Sequence, residues 1–420
     1  MRILILSYFY APEPIPKPHE LAVGLAQRGH EVSVITSIPS YPNGEFYPGY
    51  RLRPWKKETL DGIPITRLPL MPDHSASGIR RMLSYTSFMV SASLLGPFTA
   101  RQADVMYVWH PPLTIGVSAW AIGLMRRIPF VYDVRDLWPE AIAATGMMSN
   151  PLLLKGLGAM ERFVYRRAAA IGVISPGYKQ NLISKGVSSE KISVFSDWAD
   201  GEIYRPVPSD TALAQSTGMS GRFNVLFGGN MGAAQALGTV IETAQRLTQY
   251  QKIQFVFVGD GIERPKLEAE VSEKGLNNVI FLGRKTVDQM PQLYALADVL
   301  LAHYKKDPLF EICVPGKIAA YLACQKPILM ASEGDSANLI KATNSGVTCP
   351  AEDPAAMTKA ILKLYHMSPE QRSKMGQSGR QAFLGQYSQD VLIQRHEELL
   401  MQVAQSKNRG SLNAGSEGQL

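Results

Sequence analysis

Short apolar runs alternate with amphipathic stretches along the first part of the chain. The run RILILS is followed by a helical pattern over HELAVGLAQR, by Gly29 as a helix stop and by a second apolar run, EVSVIT. Further apolar runs lie at residues 104–109, 130–134 and 170–175. Strands that alternate with helices predict βαβ units and a parallel sheet. Near-continuous apolar runs are typical of strands that are covered on both faces.

The same alternation begins again after a polar interval. Five apolar runs follow one another at residues 223–229, 254–261, 279–283, 298–302 and 327–331. We therefore predict an α/β protein with two Rossmann-like parallel-sheet domains. A chain of 420 residues also fits two domains of roughly 100 to 200 residues each.

The interval between the two cycles is rich in Pro, Ser, Asp and Thr, which predicts an exposed connection. We predict an N-terminal domain at residues 1–195, a linker at 196–222 and a C-terminal domain at 223–385. An amphipathic helix is expected at 386–407. The small polar residues 408–420 predict a disordered tail.

The composition is that of an ordinary globular protein, because 45% of the residues are hydrophobic and 19% are charged. Three cysteines, Cys313, Cys324 and Cys349, form no CxxC pair, which argues against a disulfide framework and a structural zinc site. The N-terminal apolar run lacks a signal-peptide cleavage site, so we expect a cytoplasmic protein. The formal net charge of +7 favours anionic partners such as diphosphates or acidic lipid headgroups, although many soluble proteins are as basic.

A proline-rich loop, YFYAPEPIPKPHE, follows the first predicted strand. Open parallel sheets bind ligands outside the carboxyl ends of their strands. Lys17 and His19 in this loop therefore either face a ligand or lie in solvent as ordinary loop residues.

A second polar segment, DVRDLWPE, follows a later strand of the same domain. We expect Arg135, Asp136 and Trp138 at the rim of a carbohydrate site, because the cluster combines charge with aromatic surface. The alternative is an ion pair of Arg135 with Asp133 or Asp136 that serves structure alone.

Glycine-rich turns end three strands of the second domain. Glycines let the backbone approach a phosphate, and a following helix N-terminus contributes free N–H groups and positive potential. The residues concerned lie in FGGNMG, VGDG and LGR and include Gly229, Asn230, Gly232, Gly259, Gly261 and Arg284.

Two later segments carry polar residues at the same predicted edge. Glu311 precedes a turn, and Lys317 enters a helix, where a cation is locally unfavourable and so calls for a functional reason. A carboxylate binds sugar hydroxyls, and an ammonium binds a diphosphate. Ser336 and Asn338 follow the next strand, where they either cap a helix or face a ligand.

Residues 80–101 form an apolar segment that Ser, Thr, Gly and Pro interrupt. It is too polar for a transmembrane span, which needs about 20 mostly apolar residues. It fits either a buried helix or an interfacial helix at a membrane surface. The interfacial alternative puts arginines at the headgroups and apolar side chains in the acyl boundary, namely Arg80, Arg81, Arg101, Phe88, Met89, Leu94 and Leu95.

Ten segments in this order resemble the retaining glycosyltransferases of family 4, in particular the WbuB/WcaI-like polysaccharide-biosynthesis group. They are YFYAPEP, ELAVGLAQRGHEVSVIT, YPNGEFYPGYR, DVRDLWPEAI, YRRAAAIGVISPG, GGNMGAAQAL, FVGDGIERPKLE, VIFLGR, VPGKI and GDSANLI. The resemblance implies the GT-B fold, in which two domains face a cleft and a C-terminal helix crosses back to the N-terminal domain.

The resemblance also implies an activity. A nucleotide-sugar, expected to be a UDP-sugar, is the donor, and a lipid-diphosphate-linked or growing glycan is the acceptor, with retention at the anomeric carbon. No essential metal or other cofactor is implied, and no nucleic-acid partner. The expected place is the inner face of the plasma membrane, in exopolysaccharide, capsule or O-antigen assembly.

The resemblance implies the donor set position by position, with Lys317 at the diphosphate. This set comprises Gly229, Asn230, Gly232, Gly259, Gly261, Arg284, Ser336, Ala337, Asn338 and Leu339. From the residues themselves, the candidates for the catalytic centre are Arg135, Asp136, Lys317 and Glu311, and those for the acceptor side are Lys17, His19 and Trp138.

Several positions depart from the family pattern. Gly316 replaces a hydroxyl residue, Arg135 stands where many members have a histidine, and the opening loop has prolines where glycines are common. Ala233 stands where a basic residue is common, and Ala320 stands where a glutamate commonly binds the ribose. These departures leave two alternatives open beside an active transferase: a donor-binding or scaffold copy without turnover, and a sugar-nucleotide epimerase on the same fold.

Overall fold

The computed structural model describes residues 1–74, 77–144 and 150–416. The chain divides into two compact units. The first comprises Met1–Ile174, Tyr178–Phe195 and Ile393–Leu420, and the second comprises Ser175–Gly177 and Ser196–Leu392. Over the described ranges, no helix combines the length and apolar character needed to cross a bilayer.

The described part of the first unit contains an eight-stranded sheet. Its strands are β1 (Arg2–Ser7), β2 (Glu31–Ser37), β3 (Lys56–Leu60), β4 (Ile63–Leu68), β5 (Val105–Trp109), β6 (Phe130–Val134), β7 (Ala170–Val173) and β8 (Ile192–Val194). They lie in the order β3-β4-β2-β1-β5-β6-β7-β8. All pairs are parallel except β3 with β4.

The β3–β4 hairpin was not expected from the sequence. Its first strand is polar and only half-buried, so it carries no apolar run. The hairpin forms because Asp61 and Gly62 both adopt positive φ, at 49° and 78°, as a tight two-residue turn requires.

The helices of the first unit cover both faces of this sheet. They are α1 (Lys17–Gln27), α2 (Gly78–Thr99), α3 (Ile115–Arg126), α4 (Glu140–Ala144), α5 (Pro151–Arg167) and α6 (Pro176–Ser184). The central strands β1, β5, β6 and β7 are almost entirely buried, which explains their near-continuous apolar sequences.

The described part of the second unit contains a six-stranded, fully parallel sheet. Its strands are β9 (Phe223–Gly228), β10 (Ile253–Val258), β11 (Val279–Gly283), β12 (Val299–His303), β13 (Ile328–Ala331) and β14 (Gly346–Cys349). Their order is β11-β10-β9-β12-β13-β14. The predicted architecture of two Rossmann-like parallel sheets is confirmed.

Short helices connect the strands of the second unit. They are α7 (Thr211–Ser216), α8 (Gly238–Arg246), α9 (Arg264–Glu273), α10 (Met290–Ala295), α11 (Pro308–Glu311), α12 (Lys317–Ala323), α13 (Gly334–Ala342), α14 (Pro354–His366) and α15 (Pro369–Ala382). The predicted linker at 196–222 therefore includes one helix, α7, which Asp210 caps through hydrogen bonds to the Ala212 and Leu213 amides.

The last helix, α16, spans Gln389–Ser416. The predicted end at residue 407 is wrong, because the helix continues through most of the predicted tail. Once a helix has nucleated, each further residue adds a hydrogen bond at modest cost, so polar residues can extend it. The remaining residues of the predicted tail, 417–420, lie outside the described residues.

Candidate functional site

Three glycine-containing turns lie side by side at the carboxyl edge of the second sheet. They follow β9, β10 and β11, which are neighbours in that sheet. The Gly229 amide donates to the Val258 carbonyl, and the Gly259 amide donates to the Gly283 carbonyl, both at 2.9 Å. The expectation that these strand ends meet at one edge is confirmed.

The first two turns pack backbone against backbone. Gly259 has φ +138°, and an added Cβ there would lie 2.0 Å from the Gly229 carbonyl oxygen. An added Cβ at Gly261 would lie 2.3 Å from the Met231 carbonyl oxygen. Real Cβ atoms do not tolerate such distances, so close approach of these two chain segments requires glycine.

The first turn continues into a 3-10 segment at Ala233–Gln235. The Gly232 amide donates to Oε1 of Gln235 at 3.1 Å, and the Asn230 side chain is exposed beside Gly232. The basic residue that the family commonly has at position 233 has no substitute within this segment, because the segment consists of Ala233, Ala234 and Gln235.

His303, at the end of β12, holds this turn in place. Its Nδ1 donates to the Gln235 carbonyl at 2.6 Å, and its Nε2 accepts from the Glu352 amide at 3.2 Å. Burial lowers the pKa of His303, which keeps the ring neutral with one donor and one acceptor nitrogen. Sequence reasoning missed this residue, since a histidine that ends an apolar strand carries no motif.

Lys317 is the first residue of α12, and its ammonium lies against the first glycine turn. Nζ lies 4.0 Å from the centroid of the Phe227 ring and 3.0 Å from the point that a Cβ on Gly229 would occupy. Among the described residues, no carboxylate lies within ion-pair distance of Nζ. Desolvation lowers the pKa of Lys317 to about 7, so this cation lacks compensation from the protein and is suited to bind an anion.

Glu311 ends α11 and is half-buried. Its carbonyl oxygen lies 1.9 Å from the position of an added Cβ on Gly334, so α11 abuts the start of α13. Lys317 begins a helix, as expected, whereas the short helix that ends at Glu311 was not expected. No direct contact joins the two side chains.

The suggestion that Ser336 or Asn338 caps a helix is wrong. Helix α13 begins earlier, at Gly334, with Glu333 as the flanking residue. The Ser336 hydroxyl is buried and donates to the Cys313 carbonyl at 2.6 Å. Ala337 is also buried, whereas Asn338 is exposed. Ser336 therefore positions the 313–316 turn relative to α13.

The rest of the predicted donor set lies at the ends of two elements. Leu339, in α13, is half-buried, and Arg284, directly after β11, is exposed. Among the described residues, the Arg284 guanidinium makes no ion pair. It is available to a ligand or to solvent.

Arg135, in the first unit, is buried and not at a solvent-facing rim. Its Nε donates to Oδ2 of Asp133 at 2.5 Å, and its guanidinium carbon lies 4.3 Å from the centroid of the Trp109 ring. The Tyr107 hydroxyl donates to the same Asp133 oxygen at 2.6 Å. This geometry matches the structural ion pair considered as the alternative.

Trp138 is also buried, and the expectation of a rim position is wrong for it. It is only 6% exposed and packs against His110 and Tyr85, with ring centroids 5.9 Å away in each case. A tryptophan after a strand end is easily drawn into the core because its ring buries a large apolar area. Asp136 is half-buried.

His110 was not singled out from the sequence, although it directly follows β5. Burial lowers its pKa to about 3, so the imidazole is neutral. The Asp136 amide donates weakly to its Nδ1, at 3.5 Å. His110 and Asp136 thus form one group at the carboxyl edge of the first sheet.

The opening loop is fixed by its ionisable side chains. His19 contacts the Tyr10 hydroxyl through Nδ1 at 2.9 Å and the Asp61 carboxylate through Nε2 at 2.7 Å. Lys17 pairs with Glu20 at 3.0 Å. Lys17 and His19, two of the three residues predicted on the acceptor side, therefore both have protein partners.

Glu13 is a further buried acid in this loop that the sequence did not identify as important. Its carboxylate accepts hydrogen bonds from the amides of Tyr10, Ser40 and Tyr41, at 2.8 to 3.1 Å. Burial raises the pKa of Glu13, while these hydrogen bonds oppose the shift. Glu13 ties the loop after β1 to the loop after β2.

No group of three or more His, Cys, Asp or Glu side chains within the described ranges has a geometry that could hold a metal ion.

Comparison with known proteins yields two family matches. Residues 17–198 match the glycosyl transferase 4-like domain, and residues 222–367 match the glycosyl transferases group 1 domain. The putative colanic acid biosynthesis glycosyl transferase WcaI of Escherichia coli is 28% identical over 345 residues, which cover 77% of this chain and 81% of WcaI.

Another relative and a solved structure agree with these matches. The alpha-galactosylglucosyldiacylglycerol synthase of Streptococcus pneumoniae is 26% identical over 59% of this chain and 65% of the synthase. The crystal structure of Anabaena HepE in complex with UDP-glucose has a TM-score of 0.70 at 16% identity, covering 96% of this chain and all of HepE. The latter likeness concerns the fold.

Proposed function

Because the chain belongs to the GT-B glycosyltransferases, we propose that it transfers a sugar from a UDP-sugar to a lipid-linked or growing glycan, with retention at the anomeric carbon. The observation that carries the donor part is Lys317, a half-buried ammonium without an ion-pair partner among the described residues, beside a turn that requires glycine. A diphosphate supplies the negative charge that this position lacks.

The proposed donor contacts follow the carboxyl edge of the second sheet. The turn that contains Gly229, Asn230 and Gly232 lies against the phosphates, which its glycines allow to approach the backbone closely, and Lys317 neutralises the diphosphate. Charge develops on the diphosphate as the glycosidic bond to the sugar breaks. A positioned cation stabilises that charge without reorganisation.

The base and sugar are assigned to neighbouring groups. Arg284 and the turn that contains Gly259 and Gly261 bind the nucleoside. Glu311 binds sugar hydroxyls, and the segment Ser336, Ala337, Asn338 and Leu339 closes the pocket. HepE, which has the same fold and was crystallised with UDP-glucose, supports UDP as the nucleotide.

The acceptor part is assigned to the first unit. We propose that Asp136 acts near the acceptor, together with Lys17 and His19, while Arg135 and Trp138 position the strand ends around it. The pairing of Arg135 with buried Asp133 supports a positioning role for Arg135. Polysaccharide or lipopolysaccharide assembly is the proposed process, in agreement with the name of WcaI.

The departures at Ala233 and Ala320 define the competing hypothesis of a copy without turnover. Ala320 is 7% exposed inside α12, so its short side chain packs among apolar neighbours. Loss of a charge-assisted hydrogen bond to the ribose costs about 1.5–3 kcal/mol, which weakens donor binding without removing the diphosphate site.

The test is an assay with purified protein, membranes and a panel of labelled UDP-sugars. Label in a butanol-soluble lipid or in polymer is the expected result. Binding without transfer would indicate the copy without turnover, and interconversion of the free sugar nucleotides would indicate an epimerase. Absence of binding to every UDP-sugar would refute the proposal.

Donor affinity is expected to depend on pH through Lys317. Its pKa is about 7 in the free protein, and an adjacent diphosphate raises it because the charged form is then favoured. Binding at a pH above about 7 therefore takes up a proton, and affinity falls as the pH rises further. Calorimetry of UDP binding in buffers of different ionisation enthalpy measures this uptake. The Lys317→Met variant serves as the control and is expected to show no uptake from this group.

The membrane part of the proposal is supported by the ends of α2 and α3. These helices run side by side: an added Cβ on Gly96 would contact Ile122, and Arg126 donates to the Ala100 carbonyl. At this end Phe98 is 80% and Leu124 64% exposed. Three exposed arginines flank them, namely Arg101, Arg126 and Arg127.

The exposed apolar residues at this end are not the ones that the sequence predicted to contact a membrane. Phe88 is buried against the sheet side, and Met89 and Leu95 are half-buried, so they are not free to enter a bilayer. Leu94 is 65% exposed, as expected for a membrane-contacting residue. Apolar tips ringed by arginines are typical of a surface that binds anionic membranes.

Removing the apolar tips is expected to weaken vesicle binding. The double variant Phe98→Ser and Leu124→Ser should bind vesicles with anionic lipid about tenfold or more weakly, since each exposed side chain contributes roughly 1 kcal/mol or more on burial. The matched control is Leu52→Ser with Leu384→Ser, two exposed leucines at other places. Equal sedimentation of both variants with vesicles would contradict this assignment.

A further inference from the structure

A cationic cavity of about 430 Å³ lies in the first unit, away from the strand ends described above. It is formed where α5 ends, before β7, and where α6 is followed by the loop that leads to β8. Its lining includes four cationic side chains and no carboxylate: Arg162, Arg166, Lys185 and Lys191, with Tyr165, Gly186, Val187 and Ser188. We propose that this cavity binds a phosphate group.

Part of the positive charge has a structural explanation. Lys191 donates to the Tyr165 and Arg166 carbonyls at 2.7 and 3.2 Å, which caps the end of α5 as a cation at a helix C-terminus should. Lys185 pairs with Glu140 at 2.6 Å and with Glu161 at 2.8 Å. These contacts account for two of the four cations.

The two arginines are not explained in this way. Arg162 and Arg166 are exposed, and within the described ranges neither guanidinium has an ion-pair partner. They are four residues apart on α5, where like charges on one helix face are mutually destabilising. Arg166 donates to the Arg162 carbonyl through Nε alone, which leaves its terminal nitrogens for a ligand.

The chemistry of the lining favours phosphate over a single carboxylate or a neutral ligand. Guanidinium groups bind carboxylate and phosphate oxygens alike in a bidentate manner, and lysine adds a point charge. A phosphate group carries a charge of about −1.5 to −2 and three acceptor oxygens, which suits a lining of several cations better than the single charge of a carboxylate does. The Ser188 hydroxyl supplies a neutral donor at the same cavity.

Two sources of the phosphate group fit this position. The cavity precedes β7 and β8, and the apolar tips at the ends of α2 and α3 precede β5 and β6, the next strands of the same sheet. One edge of the sheet therefore carries both features. A phospholipid headgroup at a membrane surface and a free phosphorylated metabolite share the chemistry that the cavity recognises.

The test uses inorganic pyrophosphate and lipid vesicles as separate probes. Pyrophosphate is titrated calorimetrically with saturating UDP present, so that the donor site is occupied. In the second arm, the protein is sedimented with phosphatidylcholine vesicles that either contain or lack phosphatidylglycerol. The variant is Arg162→Gln with Arg166→Gln. The control is Lys155→Gln with Arg167→Gln, which removes the same charge from exposed positions on the same helix, outside the cavity.

In the cavity variant, we expect the affinity for the probe to fall about tenfold for each guanidinium removed, since a charge-assisted hydrogen bond corresponds to roughly one decade of affinity. In the control variant, we expect only a small loss of affinity. Loss in the pyrophosphate arm supports a free phosphorylated ligand, and loss confined to phosphatidylglycerol vesicles supports a lipid headgroup. Equal behaviour of the two variants in both arms would overturn the proposal, because the charges would then act without a specific site. UDP binding, measured in parallel, reports on the donor site separately.

Discussion

Replacing Lys317 with methionine is expected to weaken UDP binding by roughly 10- to 100-fold, because a hydrogen-bonded charge contact is worth about 1.5–3 kcal/mol. Methionine keeps the length and the contact with Phe227 but removes the charge. The ammonium lies beside the Gly229 turn without an ion-pair partner among the described residues. Its removal leaves no unpaired protein group behind, so the loss reports on the ligand alone.

The same substitution is expected to lower turnover more than affinity. Negative charge on the diphosphate increases as the sugar bond breaks, and the cation stabilises that state more than the bound donor. Steady-state kinetics should therefore show a fall in kcat as well as a rise in KM. Stability is not expected to fall, since burial of this charge is itself unfavourable in the free protein.

The controls for Lys317 are Lys305→Met and Lys306→Met. Both lysines are exposed and belong to the loop after β12 in the same unit. Each substitution therefore removes the same charge as Lys317→Met, at a position a short distance along the chain. We expect each to change UDP binding by a few-fold at most, through long-range attraction that salt screens. If all three variants bind and turn over alike, Lys317 does not belong to the donor site.

Replacing Gly259 with alanine is expected to disrupt the packing of the glycine-containing turns after β9 and β10 by direct overlap. The added Cβ would lie 2.0 Å from the Gly229 carbonyl oxygen, and φ is +138°. Steric overlap and backbone strain together should lower the free energy of unfolding by roughly 2–4 kcal/mol. In the folded fraction of the variant, the Gly229 turn must shift. UDP affinity should therefore fall by more than the loss of folded protein explains.

Gly275→Ala is the matched control for this substitution. Gly275 has φ +59° in the same unit, but an added Cβ meets no atom within 4 Å. It should cost about 1 kcal/mol from the backbone conformation and leave UDP affinity unchanged. Chemical denaturation and UDP titration of both variants separate the effect of the positive φ, which both share, from the steric overlap with Gly229, which only Gly259→Ala has. Similar results for the two variants would show that the close packing of these turns is unimportant for binding.

Much of the fold could be predicted from the sequence because it depends on local regularities. Buried parallel strands need continuous apolar runs, and helices between them need one apolar face. Even the positions of Gly229 and Gly259 follow, since a turn that leaves a parallel strand beside another turn accepts little else than glycine. Lys317 was identified for the same kind of reason, as a cation at an unfavourable place on its helix.

The sequence alone determined the two Rossmann-like sheets, their order along the chain and the edge at which the three glycine-containing turns lie. Tertiary structure decided which of the candidate side chains are exposed. Arg135 pairs with its near neighbour Asp133, and the same carboxylate oxygen accepts a hydrogen bond from Tyr107 on the adjacent strand β5. Trp138 is buried because it packs against His110 and Tyr85. Tyr107, His110 and Tyr85 are distant from these residues in the chain, and local periodicity cannot specify such partners. The same long-range packing decides that Phe98 and not Phe88 faces outward on α2, and it brings the arginines of α5 and the lysines that follow α6 around one cavity.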